Sequence, residues 1–215
     1  YKRQSLLGPG HVATFFADLG ADVIKVESPA GDYIRQMTWP IIEGTSLLHL
    51  HTHRGKKSVT LNLKTEEGKT LYKELVATAD VVVEAQKPGA LAGFGLGYDV
   101  LKEINPSIVF ATLSGYGSTG PYRDMPSHGI AYDTWAGIVQ PVTDDDGFTR
   151  IPKDMPNVGI NVGPMVAAMG ILAGIIKARE TGVGCEMEFA QSDAAAYMDW
   201  YLSLIHISEP TRPSS

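Results

Sequence analysis

Apolar and polar positions along this chain fall into two alternating periods, and the switches between them mark out the elements. Val12, Phe15, Phe16 and Leu19 recur at helical spacing, which predicts a helix over residues 11–19, led by a Gly8-Pro9 loop and closed by Gly20. Residues 22–27 read as a strand and 28–32 as the loop after it. Val59, Leu61 and Leu63 alternate with Ser58, Thr60 and Asn62, the signature of a half-buried strand over 58–63. A helix over 66–78 follows. Leu71 and Leu75 stack one turn apart in it, and Glu66 and Glu67 face the positive end of its dipole.

Residues 81–83 and 107–113 are continuous apolar runs and read as buried strands. Between them lie a Lys87-Pro88-Gly89 turn, a Gly-rich loop and a short helix stopped at Asn105-Pro106. Farther on, the pattern predicts a helix over 164–179 with Pro164 in its first turn, a strand over 185–190 and a last helix over 193–202. The apolar run 162–176 reads as buried helix, since it is shorter than the ~20 residues a membrane span needs. Strands alternating with helices imply an α/β fold: a Rossmann-like parallel sheet with helices on both faces. Residues 53–105 form its clearest βαβ unit. In it, the basic loop 54–57 and the turn after the second strand are the places to seek an anionic cofactor.

Less regular stretches carry the candidate chemistry. His49, His51 and His53 alternate, so an extended strand would put all three on one face. No Cys or acidic ligand accompanies them, and they are read as a strand end with no metal expected. Gly115-Tyr116-Gly117-Ser118-Thr119-Gly120 spells the dinucleotide fingerprint, yet Pro121 and Pro126 bracket it as a loop where a fingerprint opens a helix. His128 stands just ahead of a predicted helix N-terminus, a position suited either to a neutral proton acceptor or to a loop histidine bonded to backbone. Asp144-Asp145-Asp146-Gly147 reads as an exposed turn.

Composition narrows the class. The 215 residues are 44% hydrophobic and 20% charged, with a formal net charge of -6. That balance suits a globular core and argues against a nucleic-acid partner, which needs a basic surface. One cysteine, Cys185, gives no disulfide framework and fits a reducing, cytoplasmic setting. No membrane partner is expected. Residues 204–215, with two prolines after a helical pattern, read as a non-native tail. Residues 1–203 read as an incomplete domain of a longer protein.

Five segments in order resemble the family III CoA-transferases, which include formyl-CoA and carnitine-CoA transferases and the α-methylacyl-CoA racemases. They are residues 17–27 (ADLGADVIKVE), 54–64 (RGKKSVTLNLK), 79–84 (ADVVVE) with Lys87-Pro88-Gly89, 114–117 (SGYG) with Gly120-Pro121-Tyr122, and 178–184 (ARETGVG). The resemblance implies part of the family's large α/β domain, in a chain about twice as long that forms an interlocked homodimer. It also implies that coenzyme A or acyl-CoA binds as substrate, together with carboxylic acids, and that CoA moves between them.

Carried over by position, Leu61, Asn62, Leu63 and Lys64 match the segment laid along the CoA adenine and ribose. Gln86 and Lys87 match residues near the phosphates. The racemase branch keeps a His-containing segment at 127–132. The match makes His128 a candidate acid/base, with Ser127, Gly129 and Tyr132 as neighbours in binding, and leaves racemisation or a lapsed CoA-binding subunit as alternatives. The family's catalytic Asp falls at Gly159 or Ile160, with Asn161 adjacent, and none of these is a carboxylate. Asp154 is the nearest acid, so Asn161 and Asp154 join His128 as catalytic candidates. The family's arginine in the turn after Lys87 is also absent, with Gly93 in its place.

Overall fold

The computed structural model describes residues 7–37, 40–152 and 154–199. It opens with α1 (Leu7–Asp18) and β1 (Val23–Glu27). A 3-10 turn (Tyr33–Gln36), the short strands β2 (Pro40–Ile42) and β3 (Thr45–Ser46), and α2 (Leu47–His53) lead to β4 (Lys56–Thr60). Then come α3 (Glu66–Val76), β5 (Val81–Glu84), α4 (Ala90–Gly93), α5 (Tyr98–Ile104) and β6 (Val109–Ser114). The rest is α6 (Gly129–Trp135), the hairpin of β7 (Val142–Thr143) and β8 (Thr149–Arg150), α7 (Val158–Thr181), β9 (Cys185–Ala190) and α8 (Gln191–Met198).

Strand β6 is central. It pairs in parallel with β5, Val81 opposite Val109, and with β9, Val109 opposite Cys185. All six of its residues are buried, because both faces are covered and the sequence there is apolar without alternation. Ile108, just before β6, and Phe110 join Tyr72 and Val76 of α3 and Leu101 of α5 in one core. Val109, Ala111 and Leu113 point the other way, into a second core with Val12 of α1 and Ala167 and Ile171 of α7. Burying Phe110 alone contributes about 1.5–3 kcal/mol. The predicted α/β architecture with helices on both faces is what the chain forms. β1 and β4 add a separate parallel pair, Val23 opposite Lys56.

Several predicted boundaries move, each for a physical reason. Gly8 and Pro9 lie inside the first turn of α1 and not in a loop; proline needs no N–H partner there. The predicted strand at 58–63 runs instead from Lys56 to Thr60. In α3 the buried face is Gly68, Tyr72 and Val76, and Leu71 is exposed. Residues 49–53 are helical, so the alternating histidines share no face: His49 and His53 stack one turn apart (centroids 4.9 Å), while His51 meets His11 (5.8 Å). Among the described residues no group of His, Cys, Asp or Glu has a metal-holding arrangement.

Helix α7 begins six residues before Pro164, which lies inside it, buried. Its start is capped from a distance: the buried Asp133 carboxylate of α6 accepts from Val158 N (3.1 Å) and Gly159 N (2.7 Å). Such charge-assisted bonds at the positive end of a helix are each worth about 1.5–3 kcal/mol. Pro164 offers no N–H to the carbonyl of Ile160 one turn back, and the ring of His11 hydrogen-bonds the Ile160 backbone instead.

The helix is buried along one stripe only. Gly159, Gly163, Ala167, Ile171, Gly174 and Ala178 face inward, whereas Met165, Met169, Leu172 and Ile176 are exposed. By length and composition α7 is apolar enough to cross a membrane, but its small-residue stripe packs on α1, β6, β9 and α8 as a core helix does. Gly159 shows how close that packing is: a Cβ there would stand 2.8 Å from the Tyr132 Cβ and 3.1 Å from the Gln191 carbonyl oxygen. The last helix starts at Gln191, two residues early. The predicted tail 204–215 lies outside the described residues.

Candidate functional site

A solvent-open cleft of about 490 Å³, counting the space it opens into, lies at the carboxyl ends of β5 and β6. In parallel sheets this is where ligands bind, because the loops leaving the strand ends diverge there. Ala85, Gln86 and Pro88 leave β5; Leu113, Ser114, Gly115 and Tyr116 leave β6; Gly8 and Pro9 come from α1. Arg123, Met125 and Ser127 come from the loop before α6, Tyr132 from α6, and Gln191 from the start of α8.

Local bonds hold these walls. Glu84 Oε1 accepts from Leu91 N (2.8 Å) and ties the turn after β5 back to its strand; burial raises the carboxyl's pKa. Ser114 Oγ accepts from Gly117 N (2.9 Å), and the Gly115 carbonyl accepts from Ser192 N (3.1 Å), joining the β6 loop to α8. Gly115 must lack a side chain, since a Cβ would collide with Ser127 and with the Tyr132 ring.

Inside, Tyr132 Oη is 3.5 Å from Ser127 Oγ and is also bonded by the Gln191 side chain, while burial raises its pKa. Gln191 Oε1 is buried with no partner. Tyr132, Tyr116, Trp135 and Tyr122 form a chain of edge-on rings running outward, and Trp135 and Tyr122 are exposed. Among the described residues, the cleft lining has one cation, Arg123, and no carboxylate, histidine or cysteine.

A second polar cluster sits between α1, α2, β1 and β4. Glu27 accepts from Arg35 Nη2 (2.6 Å), Arg35 Nε (3.0 Å), Ser58 Oγ (2.7 Å) and Asp32 N (3.0 Å). The Arg35 bonds hold its carboxyl at about 2. Burial acts to raise the Asp32 carboxyl, but His53, Lys25 (2.6 Å) and Ile34 N (3.0 Å) outweigh it and hold the group well below the usual range. Lys56 donates to the carbonyls of Gly10 (2.5 Å) and Thr52 (2.6 Å) and is pushed down to about 7 by burial.

The basic loop is spoken for. Arg54 pairs with Asp18, Lys57 with Asp22 (2.8 Å), and Lys56 is turned inward. It lies at the amino end of β4, and none of its residues lines the cleft.

Of the residues named from sequence, Gln86, Ser127 and Tyr132 meet in the cleft. Lys87 borders it but pairs with Asp124 (2.9 Å). Leu61 is buried in the core, Leu63 is half-buried, and Asn62 and Lys64 are exposed in the turn after β4. His128 is the exposed N-cap of α6, and Gly129 after it backs onto Ile160. Asn161, on the first turn of α7, donates to the Asn157 carbonyl (2.6 Å), and Asp154 is exposed in the preceding loop. None of His128, Asn161 or Asp154 lines the cleft. Sequence reasoning missed Arg123 and Gln191. Arg123 falls in the proline-bracketed loop that has no periodicity, and Gln191 falls at an unmarked strand-to-helix junction.

A parallel sheet covered by helices on both faces, with a cleft at the carboxyl ends of its strands, defines a Rossmann-like α/β domain. The chain belongs to the CoA-transferase family III, whose model matches residues 3–214. It is 39% identical over 181 residues to the succinyl-CoA–L-malate CoA-transferase beta subunit of Chloroflexus aurantiacus, covering 80% of this chain and 42% of that one. It is 35% identical over 187 residues to the cinnamoyl-CoA:phenyllactate CoA-transferase of Clostridium sporogenes, covering 85% and 45%. The solved structure of a hypothetical protein of Mycobacterium tuberculosis, Rv3272, superposes with a TM-score of 0.84 at 33% identity, covering 97% of this chain and 57% of that one. A CAIB/BAIF family protein of Brucella suis gives 0.84 at 32%, covering 98% and 56%. The chain thus spans about half the length of the curated relatives it matches.

Proposed function

We propose that this chain is the CoA-thioester-holding part of an enzyme that moves CoA between carboxylic acids. The carrying observation is the cleft at the carboxyl ends of β5 and β6, where Gln86, Ser127 and Tyr132 converge in a chain that matches the CoA-transferase family over nearly its whole length. The relatives' names support transfer between acids as the reaction class. In this reading acyl-CoA and a free acid are the substrates, Ser127 and Tyr132 donate hydrogen bonds to the thioester end, and a cytoplasmic homodimer is the working form.

Transfer through an acyl-enzyme needs a nucleophile. Gly159 has no room for a side chain, and Ile160 packs on Gly129. Neither matching position at the start of α7 carries a carboxylate in this chain, and Asp154, in the flanking loop, is the candidate that remains; Asn161 and His128 would position the acyl group. An epimerase acting through His128 needs a second acid/base opposite it, and the described cleft lining holds no carboxylate, histidine or cysteine for that role. Incubation of the full-length protein with acyl-CoA and hydroxylamine should release an acyl hydroxamate in an enzyme-dependent way. CoA binding without any trapped acyl group would remove the covalent transfer step and leave a CoA-binding subunit.

A further inference from the structure

The cation expected to meet the ligand's negative charge, Lys87, spends its own charge on Asp124 at 2.9 Å. Arg123 does not. Its Nη2 donates to the Pro88 carbonyl (3.3 Å), and this exposed guanidinium forms no salt bridge among the described residues, although the Asp124 carboxyl feels its charge. It reaches this place because Gly89 turns with φ 80; a Cβ there would stand 3.2 Å from Nη2. The guanidinium is thus seated against the turn that leaves β5, a turn that Glu84 ties to the sheet.

A guanidinium carries five N–H donors in a planar fork. One bond to Pro88 leaves the others for the cleft, whose described lining holds neutral Gln86, Ser127 and Tyr132 and no carboxylate. A fixed positive fork over neutral hydrogen-bond donors suits a phosphate or a carboxylate, each able to accept two parallel bonds. We infer that Arg123 is the anion-binding residue of the cleft, taking a phosphate or carboxylate group of the bound molecule. Position 93, where the family resemblance calls for an arginine, holds a glycine on α4, so a different loop brings the guanidinium to the turn after β5. The inference rests on the CoA-thioester reading above for the identity of the ligand, and not for the presence of the anion site.

Calorimetry on the full-length protein tests it with acyl-CoA, an acyl-pantetheine thioester lacking phosphates, and a free carboxylic acid. Arg123→Ala should weaken acyl-CoA binding by roughly tenfold to a hundredfold, and Arg123→Lys should recover part of it. If the loss vanishes with the pantetheine thioester, the anion is a phosphate; if it persists there and with the free acid, it is a carboxylate. Wild-type affinity of Arg123→Ala for every ligand, with unchanged salt dependence, overturns the inference. Should the wild type bind no thioester, the CoA reading fails by itself. Inorganic pyrophosphate then decides: binding by wild type and not by Arg123→Ala upholds the anion site, and binding by neither removes it.

Discussion

The two polar regions of this domain differ in how fully their groups are matched. In the corner of α1, α2, β1 and β4, Glu27 and Asp32 are surrounded by donors and Lys56 is satisfied by two carbonyls, while His49 Nδ1 is left buried without a partner among the described residues. In the cleft, among the described residues, Gln191 Oε1 has no partner, Arg123 forms no salt bridge, and the Tyr132–Ser127 contact is long. The corner holds several large pKa shifts, and shifted titrations taken alone would mark it as the functional site. Saturation argues otherwise. A network that has spent its donors and acceptors internally holds the fold, and unspent capacity facing an open cleft is what a ligand can use.

The largest effect expected from breaking this contrast is Asp32→Ala. The side chain is fully buried between Lys25 and His53, and removing one member of a buried charged network costs about 3–5 kcal/mol. Urea unfolding should register that loss while the folded fraction keeps its CoA affinity. An Asp32→Ala protein of unchanged stability with impaired ligand binding would reverse the roles of the two regions.

Acid should separate the regions next. Glu27 titrates at about 2 in the folded chain against an ordinary 4.5, so the unfolded chain takes up that proton first. Its stabilisation is complete above 4.5 and is lost as pH falls toward 2. His49 is held down to about 4 from 6.5, chiefly by burial; the unfolded chain again protonates first, and stability drops as pH falls from 6.5 to 4. Lys56 has the same sign between about 7 and 10.5. Stability should therefore decline steadily below pH 6.5 in urea titrations. Tyr132 and Tyr116, both raised by burial, stay protonated throughout. A flat stability profile from pH 6.5 to 4 would mean that the corner's histidines and carboxylates are not buried and paired as described.

How much of this was legible in the sequence follows from where each signal resides. β5 and β6 were readable because two-sided burial leaves an unbroken apolar run. The start of α7 was not, because its cap is Asp133, 25 residues upstream, and Pro164 offered a false start. The buried stripe of α7 was hidden too. Both of its faces are apolar, and residue size, not polarity, decides which face meets the sheet. Histidines at 49, 51 and 53 fit a strand by spacing, yet Ser46 Oγ accepts from His49 N (3.0 Å) and starts a helix. In the cleft, Gln86, Ser127 and Tyr132 were reachable through the family resemblance. Arg123 and Gln191 were not, because what marks them is an unmatched charge and an unmatched oxygen, properties of the folded surroundings and not of the residue string.

The smallest expected effect is the sharpest test of the comparison. Gln191 is 6% exposed, and its Oε1 meets no donor. Deleting a buried acceptor that is already unsatisfied removes a desolvation cost along with the amide's bond to Tyr132, so Gln191→Leu should move stability by no more than about 1 kcal/mol. The same change takes away a polar group from the cleft wall, so ligand affinity should fall even though the fold holds. In the corner, by contrast, Asp32 is bonded by Lys25, His53 and Ile34 N, and its side chain cannot be deleted so cheaply. A loss of about 2 kcal/mol or more for Gln191→Leu would mean that Oε1 is bonded in the folded protein. The cleft would then be as fully matched as the corner, and unspent hydrogen-bonding capacity would no longer tell the two regions apart.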